Sequence, residues 1–407
     1  MIPPRPASPQ SLEALKASPN ALAEYYQSFG VSDRLLLTGH SHQAWPDVAF
    51  EGQKQAWLDA AEHADGKWAA AGEKADRVAE GFRRLMGGCD GDITLDTNTH
   101  GLIVRFLSAL PLRERPRVVT TDGEFHSIRR QLDRLAEEGI EVVKVSADPA
   151  RGLAERVAAE VDDRTACVMI SSVLFGSGLI VSGLSAVAEA SSKHGAELLV
   201  DAYHSLGVVP FSLAGFERAF VVGGGYKYLQ LGEGNCALRV PPNCTLRPVI
   251  TGWFAEFAEL AAVRRPGEVP YGKGPARFAG STYDPTSHYR GAVVMDFFAE
   301  QGLTGEFLRA VSQHQVGLLA QSFARLDLDP SIVRLDGEVR LEERGGFLAL
   351  HAPDAEGLCA ALLERGVRTD SRGTALRFGP APYLSDRQIV DAMDILAEVA
   401  RGEKRSA

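Results

Sequence analysis

The stretch AELLVDAYHSLGVVPFSLAGFERAFVVGGGYKYLQLGEG, Ala196 to Gly234, decides the fold of this chain. It contains two apolar runs of strand length, Leu198–Val200 and Phe220–Val222. Asp201 directly follows the first run, and Lys227 follows the second run after a series of glycines. Ligands of open α/β sheets bind at the carboxyl ends of the strands. A carboxylate and a lysine are therefore predicted at the binding edge of one sheet.

These two side chains suit pyridoxal phosphate (PLP) chemistry. A lysine forms the Schiff base, and a carboxylate pairs with the protonated pyridine nitrogen so that the ring acts as an electron sink. The alternatives are a surface lysine for Lys227 and a helix N-cap for Asp201. Glycines before Lys227 favour the cofactor site because they permit close backbone approach to a ligand. His204 is then expected near the ring face or the phenolic oxygen, the alternative being a hydrogen-bonded core histidine.

The pattern around this stretch predicts an α/β fold. Apolar strands alternate with helical periods from about residue 50 to residue 240, which implies right-handed crossovers and a mostly parallel sheet covered by helices on both faces. The predicted strands are Arg117–Thr121, Val142–Val145, Ala166–Ser172, Leu198–Asp201, Ala219–Val222 and Cys236–Val240. The predicted helices are Ala75–Met86, Thr99–Leu110, Ser127–Glu138 and Leu184–His194.

The pattern changes after a Gly- and Pro-rich loop predicted at Arg264–Ser287. Helices are expected at Tyr289–Gln301 and Gly305–Leu326, then strands at Phe347–His351 and Leu376–Phe378. A last helix should begin with a capping box of Ser385 and Gln388. The predicted organisation is a large domain over residues 49–288, a smaller α+β domain over 289–407, and an N-terminal segment, 1–48, that packs with the small domain.

Composition narrows the partners and the compartment. The 407 residues carry a formal net charge of -10, which argues against nucleic acid or an anionic membrane as partner. The N-terminus has no apolar signal region, and no run of 18 apolar residues occurs. The cysteines are scattered and unpaired, which predicts reduced thiols in a cytoplasmic protein without a metal site; they are Cys89, Cys167, Cys236, Cys244 and Cys359.

Other segments offer contacts to the phosphate and the ring. Asn98 and Thr99 stand at a predicted helix start, where free N–H groups attract anions, although plain capping explains them too. The hydroxyl of Tyr226 is a further phosphate donor, and so are the hydroxyls of Ser281 and Thr282. Either Phe125 or His126 is expected to stack on the ring, with Phe125 preferred. Trp253 and Phe254 either line a pocket or simply pack.

Arg377 lies inside an apolar strand and therefore needs a partner. A substrate α-carboxylate is a good bidentate match for a guanidinium. A structural ion pair is the competing interpretation.

The pairing DAYHSLG and GGGYKYLQLGEG resembles the fold-type-I PLP enzymes of the class V aminotransferase group, and kynureninases in particular, over nearly the whole chain. Further similar segments are AEHADGKW (Ala61–Trp68), DTNTHGL (Asp96–Leu102), TGWF (Thr251–Phe254) and TDSRGTALRFGPAPYL (Thr369–Leu384). The resemblance implies a homodimer with its site at the subunit interface and an amino-acid substrate.

The resemblance also implies roles for single residues. Lys227 would be the Schiff-base lysine and catalytic base, Asp201 the pyridinium partner, Tyr226 a catalytic hydroxyl, and Arg377 the clamp for the substrate carboxylate. The implied cofactor contacts are Asn98, Thr99, Phe125, His204 and Tyr226, together with Trp253, Ser281 and Thr282 acting on the neighbouring subunit. The implied substrate contacts are Ser41, His63, Arg377 and Asp284.

Two segments depart from the kynureninase pattern. The usual Gly-Asn-Ser-Leu-Gly element is GHSHQ here (Gly39–Gln43), and Ser-Asn-Pro is Tyr283-Asp284-Pro285. A carboxylate at Asp284 would favour a donor or a cation on the substrate side chain. The expected reaction is hydrolytic Cβ–Cγ cleavage of a γ-keto amino acid with release of alanine. Transamination, β-elimination, cysteine desulfuration and non-catalytic PLP binding remain the alternatives.

Overall fold

The computed structural model describes residues 10–87, 92–260, 265–337 and 340–402. Within these ranges the α-helices are α1 (Leu12–Lys16), α2 (Val48–His63), α3 (Lys67–Leu85), α4 (Thr99–Ser108), α5 (His126–Glu137), α6 (Leu153–Ala159), α7 (Leu184–His194), α8 (Thr286–Glu300), α9 (Gly305–Arg325), α10 (Ala355–Glu364) and α11 (Asp386–Ala400). The strands are β1 (Leu35–Leu36), β2 (Asp92–Asp96), β3 (Arg117–Thr121), β4 (Glu141–Val145), β5 (Thr165–Ser171), β6 (Glu197–Asp201), β7 (Phe220–Gly224), β8 (Cys236–Val240), β9 (Leu348–His351), β10 (Val367–Arg368), β11 (Asp370–Arg372) and β12 (Ala375–Phe378).

The large sheet has the order β2-β8-β7-β6-β5-β3-β4. Neighbours from β7 through β4 run parallel, whereas β7–β8 and β8–β2 are antiparallel. The mostly parallel α/β sheet predicted from the sequence is therefore confirmed. Because β6 and β7 are parallel neighbours, their carboxyl ends meet at one edge, where Asp201 ends β6.

The apolar runs of these strands reflect burial on both faces of the sheet. Successive side chains of a strand point to opposite faces. Leu198 and Val200 join one hydrophobic cluster, and Leu199 between them joins a second cluster. In β7 the second cluster receives Phe220 and Val222. Helices cover both faces of the large sheet, and so its strands show no alternation of polar and apolar residues.

The N-terminal segment is joined to the C-terminal part of the chain. β1 pairs in parallel with β10, Leu35 lying opposite Val367, and Thr38 forms a bridge to Gly379. The C-terminal part has its own antiparallel sheet in the order β11-β12-β9. Ser385 and Gln388 form the predicted capping box of α11. The domain limits 1–48, 49–288 and 289–407 stay predictions.

Some elements differ from the sequence predictions. α3 begins at Lys67 rather than Ala75, and α8 begins at Thr286 rather than Tyr289. The strand β2 and the helix α2 were not predicted. The loop predicted from residue 264 begins outside the described residues, and its later part includes a short helical turn, Gly274–Phe278.

No helix among the described residues is long and apolar enough to cross a membrane. The four cysteines in the described ranges are free thiols, and Cys89 lies outside those ranges.

Candidate active site

Lys227 lies just beyond β7 and is only 5% exposed. Its Nζ is 2.6 Å from His204 Nε2. The amine also lies 4.7 Å from the ring centre of Tyr203 and 5.1 Å from that of Phe125. Burial lowers the pKa of Lys227 to about 7, although the charge of Asp201 opposes the shift. A substantial fraction of this amine is therefore unprotonated near neutral pH and can act as a nucleophile or a base.

Asp201 is buried at the end of β6 and faces the same cavity as Lys227. Its Oδ1 accepts a hydrogen bond from the Tyr203 backbone N–H at 2.8 Å. Its Oδ2 takes no hydrogen bond from the described residues, and so one carboxylate oxygen remains for a ligand. Burial raises the pKa of Asp201, while the Tyr203 N–H and the charge of Lys227 oppose that change. A protonated ring nitrogen would stabilise the charged form.

His204 is neutral because burial lowers its pKa well below the ordinary value. Its Nε2 contacts Lys227, and its buried Nδ1 has no hydrogen-bond partner in the described ranges. An unpartnered buried ring nitrogen beside a reactive amine costs free energy. A bound polar group at this position would remove that cost.

The glycines before Lys227 allow the chain to pass through a crowded region. A Cβ on Gly224 would lie 2.3 Å from the Tyr203 hydroxyl, and one on Gly225 would lie 2.5 Å from Leu231. Because neither distance is possible for a real side chain, both positions require glycine. The glycine run thus places Lys227 against Tyr203 and His204.

The amino end of α4 forms another wall of the cavity. Asn98 is the N-cap, and its side-chain oxygen accepts from the Gly101 N–H at 2.9 Å. The Asn98 amide group donates to the Thr97 hydroxyl at 3.1 Å. Because the Asn98 side chain is engaged in capping, an anion here would be met by the backbone N–H groups and by the hydroxyl of Thr99.

Lys227, Asp201, His204, Asn98 and Thr99 all line one cavity of about 530 Å³. The lining also includes Phe125, Ser171, Phe175, Tyr226 and Glu233. Its size falls in the range of small-molecule sites. The aromatic predicted to stack on the ring is Phe125, and the exposed His126 does not line the cavity.

The loop that follows β1 packs against Tyr226, a residue that lines the cavity. His42 stacks on Tyr226 with ring centres 4.9 Å apart, and its Nε2 lies 3.6 Å from Glu233. Ser41 is hydrogen-bonded to His42 Nδ1 at 3.1 Å. Burial raises the pKa of Tyr226, so its hydroxyl remains a proton donor near neutral pH. The GHSHQ departure from the family pattern therefore lies beside the tyrosine that was expected to act on substrate.

Arg377 forms an ion pair within the chain. Its Nε and Nη2 donate to the two carboxylate oxygens of Asp370 at 2.8 and 2.6 Å, and its Nη1 donates to the Phe175 carbonyl at 2.6 Å. An arginine has five N–H donors. Three are used in these contacts, which leaves two for an incoming carboxylate. The structural pair and the substrate clamp are thus compatible.

Asp370 is also held by His40, whose Nε2 lies 2.8 Å from its Oδ1. Burial lowers the pKa of His40 to about 4, so the histidine donates as a neutral ring. Burial alone would raise the pKa of Asp370, but His40 and Arg377 outweigh it and hold the pKa well below the ordinary value. Gly379 makes room for this contact, because a Cβ there would lie 2.1 Å from His40 Nδ1.

A buried acid, Glu124, lies behind Asp201. Its carboxylate accepts from the Ser171 N–H at 3.1 Å, the Ser171 hydroxyl at 2.6 Å and the Thr121 hydroxyl at 2.7 Å. Burial raises the pKa of Glu124 to about 7. The hydrogen bonds from Ser171 and Thr121 lower this pKa, whereas the negative charge of Asp201 raises it further. Glu124 stands one position before Phe125 and three positions after the end of β3. A charged residue in the loop directly after a buried strand was the signal that was available.

Seven predicted site residues are absent from the lining of this cavity, namely Ser41, His63, Trp253, Ser281, Thr282, Asp284 and Arg377. Ser281 and Thr282 are exposed and line a neighbouring cavity of about 670 Å³, and Trp253 Nε1 donates to the Thr282 hydroxyl at 3.2 Å. His63 is exposed at the end of α2. Asp284 is exposed and accepts from the Thr286 N–H and hydroxyl at 3.0 and 2.6 Å. None of the seven lines the Lys227 cavity within one chain, and their assigned roles remain predictions.

The residues of the cavity fit pyridoxal phosphate. A lysine with a lowered pKa, a carboxylate with a free oxygen and a helix start for the phosphate lie around one space of suitable size. His204 Nδ1 supplies an unpartnered polar atom in the same space. Fold and site together define a fold-type-I PLP protein.

Solved structures share this fold. The cystine C–S lyase C-DES with glycine covalently linked to its PLP cofactor matches with a TM-score of 0.78 at 15% identity, over 92% of this chain and 98% of that chain. A cysteine desulfurase from Thermococcus onnurineus has a TM-score of 0.78 at 15% identity, over 95% and 99% of the two chains.

Sequence comparisons identify the group more closely. The model of the kynureninase C-terminal domain matches residues 308–396, and that of the DegT/DnrJ/EryC1/StrS aminotransferase family matches residues 51–210. Kynureninase from Pseudomonas fluorescens is 27% identical over 93% of this chain and 92% of its own length. Kynureninase from Burkholderia pseudomallei is 27% identical over 90% and 89%. The chain is thus similar to kynureninases over most of its length and to this aminotransferase family over residues 51–210, and its cofactor is pyridoxal phosphate.

Proposed function

We propose that this protein hydrolyses the Cβ–Cγ bond of a γ-keto amino acid. In the balanced reaction, water adds its oxygen to the γ-carbon and the Cβ–Cγ bond breaks. A carboxylic acid leaves, and Cβ takes a proton to give alanine. The observation that carries the proposal is the buried Lys227 amine, 2.6 Å from His204 and in one cavity with Asp201. The full-length similarity to kynureninases supports this reaction over others of the same fold.

Bound PLP would supply the electron sink that stabilises negative charge on the substrate carbons. The chain's residues supply the proton transfers. Lys227, with a pKa of about 7, can take the proton from Cα and return it. Asp201 keeps the ring nitrogen protonated through its free carboxylate oxygen. His204 positions Lys227 through the Nε2–Nζ contact.

Two further groups would act on the substrate. The two N–H donors that Arg377 does not use would bind the α-carboxylate, while Asp370 holds the guanidinium in orientation. Tyr226 keeps its proton and would donate to the oxygen of the γ-carbonyl as water adds. Glu233, which lines the cavity, would favour a donor or a cation on the substrate side chain.

We also propose a cytoplasmic homodimer that completes each site with residues of its partner. Trp253, Ser281 and Thr282 do not reach the Lys227 cavity of their own chain. They lie beside exposed apolar side chains, Phe257 at 60% and Val249 at 82% exposure. Burial of this surface against a second copy would place Ser281 and Thr282 near the other cavity.

A cysteine desulfurase mechanism finds less support in the described residues. That chemistry requires a reactive thiolate. Cys236 lines the cavity, but burial raises the pKa of its thiol to about 12. Cys359 lies within α10 rather than in a loop.

Product analysis tests the proposed reaction. The purified holoenzyme would be incubated with a panel of γ-keto amino acids that includes kynurenine and 3-hydroxykynurenine. We expect equimolar alanine and carboxylic acid, and no product from the Lys227→Ala variant. Accumulation of a 2-oxo acid without alanine would establish transamination instead. Absence of a lysine-dependent visible absorption band would contradict the cofactor role of Lys227 and leave a non-catalytic protein.

A further inference from the structure

A second cavity, of about 610 Å³, lies next to the active site. Its walls are the loops that follow β3, β4 and β5 on one side and the small sheet of β9 and β12 on the other. Phe175 lines both this cavity and the Lys227 cavity. The carboxyl ends of parallel strands are the edge where α/β proteins bind ligands. The cavity therefore has the position of a ligand site, although no step of the proposed reaction uses it.

Arg344 lines this cavity and is only 7% exposed. Its Nε is buried without a hydrogen-bond partner, and no described residue accepts a hydrogen bond from its guanidinium. The nearest acid in sequence, Glu343, is paired with Arg151 at 3.1 Å and with Arg340 at 2.8 Å. Keeping a largely buried guanidinium without an acceptor in the protein costs free energy.

The other buried arginines of the described chain all have acceptors. They are Arg105 on the Phe278 carbonyl, Arg117 on Glu141, Arg239 on the Ala219 carbonyl, Arg290 on the Leu231 carbonyl and Arg377 on Asp370. Arg344 alone among these lacks one. The contrast leaves the Arg344 guanidinium available to an acceptor that binds in the cavity.

The remaining charges of the cavity limit what this molecule is. Arg372 lines it with Arg344, and the acids Asp122, Asp148 and Asp336 line it as well. Asp336 is paired with Arg334 at 2.8 Å, whereas the carboxylate of Asp148 takes no hydrogen bond from described residues. A cavity lined by both positive and negative side chains disfavours a ligand that carries only negative charge. A carboxylate that carries an ammonium group matches both sets of charges.

We propose that this cavity is a second site for a small zwitterionic amino acid, whose carboxylate binds the Arg344 guanidinium. The aspartates of the large-domain loops would receive the ammonium group. The bound amino acid would bridge those loops and the small sheet. This site is independent of Lys227, and its existence does not rest on the proposed reaction.

The first test is the thermal stability of holoenzyme variants in buffer without amino acids. Arg344→Met keeps the apolar stem and removes the unpaired charge, so we expect a melting temperature equal to or above that of the wild type. Arg290→Met is the matched control, since Arg290 is also 7% exposed but donates to the Leu231 carbonyl. We expect this control to melt below the wild type. An Arg344→Met variant that is destabilised like the control, or that fails to fold, overturns the proposal.

The second test is calorimetric titration of the holoenzyme with L-alanine. We expect a binding event that leaves the cofactor absorption unchanged, persists in Arg377→Gln and weakens at least ~10-fold in Arg344→Met. Propionate, which lacks the ammonium group, should bind more weakly than L-alanine. Equal binding of L-alanine by wild type and Arg344→Met, or no such event in either, overturns the proposal.

Discussion

Replacement of Glu124 by glutamine should stabilise the protein at alkaline pH and leave its stability unchanged at acidic pH. Glu124 is 1% exposed, and burial raises its pKa from 4.5 to about 7. Because the pKa in the folded state is higher than in the unfolded state, its favourable contribution is complete below about pH 4.5 and is lost as the pH rises through 7. A difference of about 2.5 in pKa corresponds to roughly 3 kcal/mol at alkaline pH.

Glutamine is isosteric with the protonated acid and keeps an acceptor for Ser171. We therefore expect the variant and the wild type to unfold at the same urea concentration at about pH 4. At about pH 8.5 the variant should be more stable by about 2–3 kcal/mol. Glu189→Gln, at an exposed position of α7, is the control and should show no such trend. A Glu124→Gln variant that is less stable than the wild type at alkaline pH, or a difference that does not vary with pH, would refute the reasoning.

Two other substitutions test contacts around Arg377. Asp370→Asn removes the charge that orients Arg377 and should raise KM at least ~10-fold with a smaller change in kcat; steady-state kinetics checks this, and an unchanged KM contradicts the positioning role. Gly379→Ala would force a Cβ to 2.1 Å from His40 Nδ1 and should lower the melting temperature. Gly72→Ala, where a Cβ meets nothing within 4 Å in the middle of α3, should leave the melting temperature unchanged or raise it; equal losses in both alanine variants would argue against the close approach.

Much of the fold was readable from local sequence because the strands are buried on both faces. β3 and β8 have the predicted bounds, and the other parallel strands differ from prediction by one or two residues. The strand β2 was missed for the opposite reason. Its sequence DITLD alternates polar and apolar residues at the edge of the sheet, and it becomes a strand only by antiparallel pairing with β8.

The candidate site also combines residues that the local sequence places together with residues that only the folded chain brings into contact. Lys227, Asp201 and Thr99 meet because strand ends and helix starts share one edge of the sheet, which the chain order already indicates. The contact between His40 and Asp370 joins positions 330 residues apart. No local pattern reveals such a pair, and so the sequence left open whether Arg377 binds a substrate or a partner in its own chain.

The ion pair between Arg377 and Asp370 affects how this arginine could discriminate among ligands. A lone buried guanidinium would attract any anion but would be costly to keep without a ligand. Asp370 offsets the charge of Arg377, and the neutral ring of His40 adds no further charge. The cluster is therefore close to neutral, and long-range attraction of anions is weak. In its proposed role, Arg377 would bind a carboxylate according to how well its two unused N–H donors match that planar group, and selection would rest on geometry rather than on net charge.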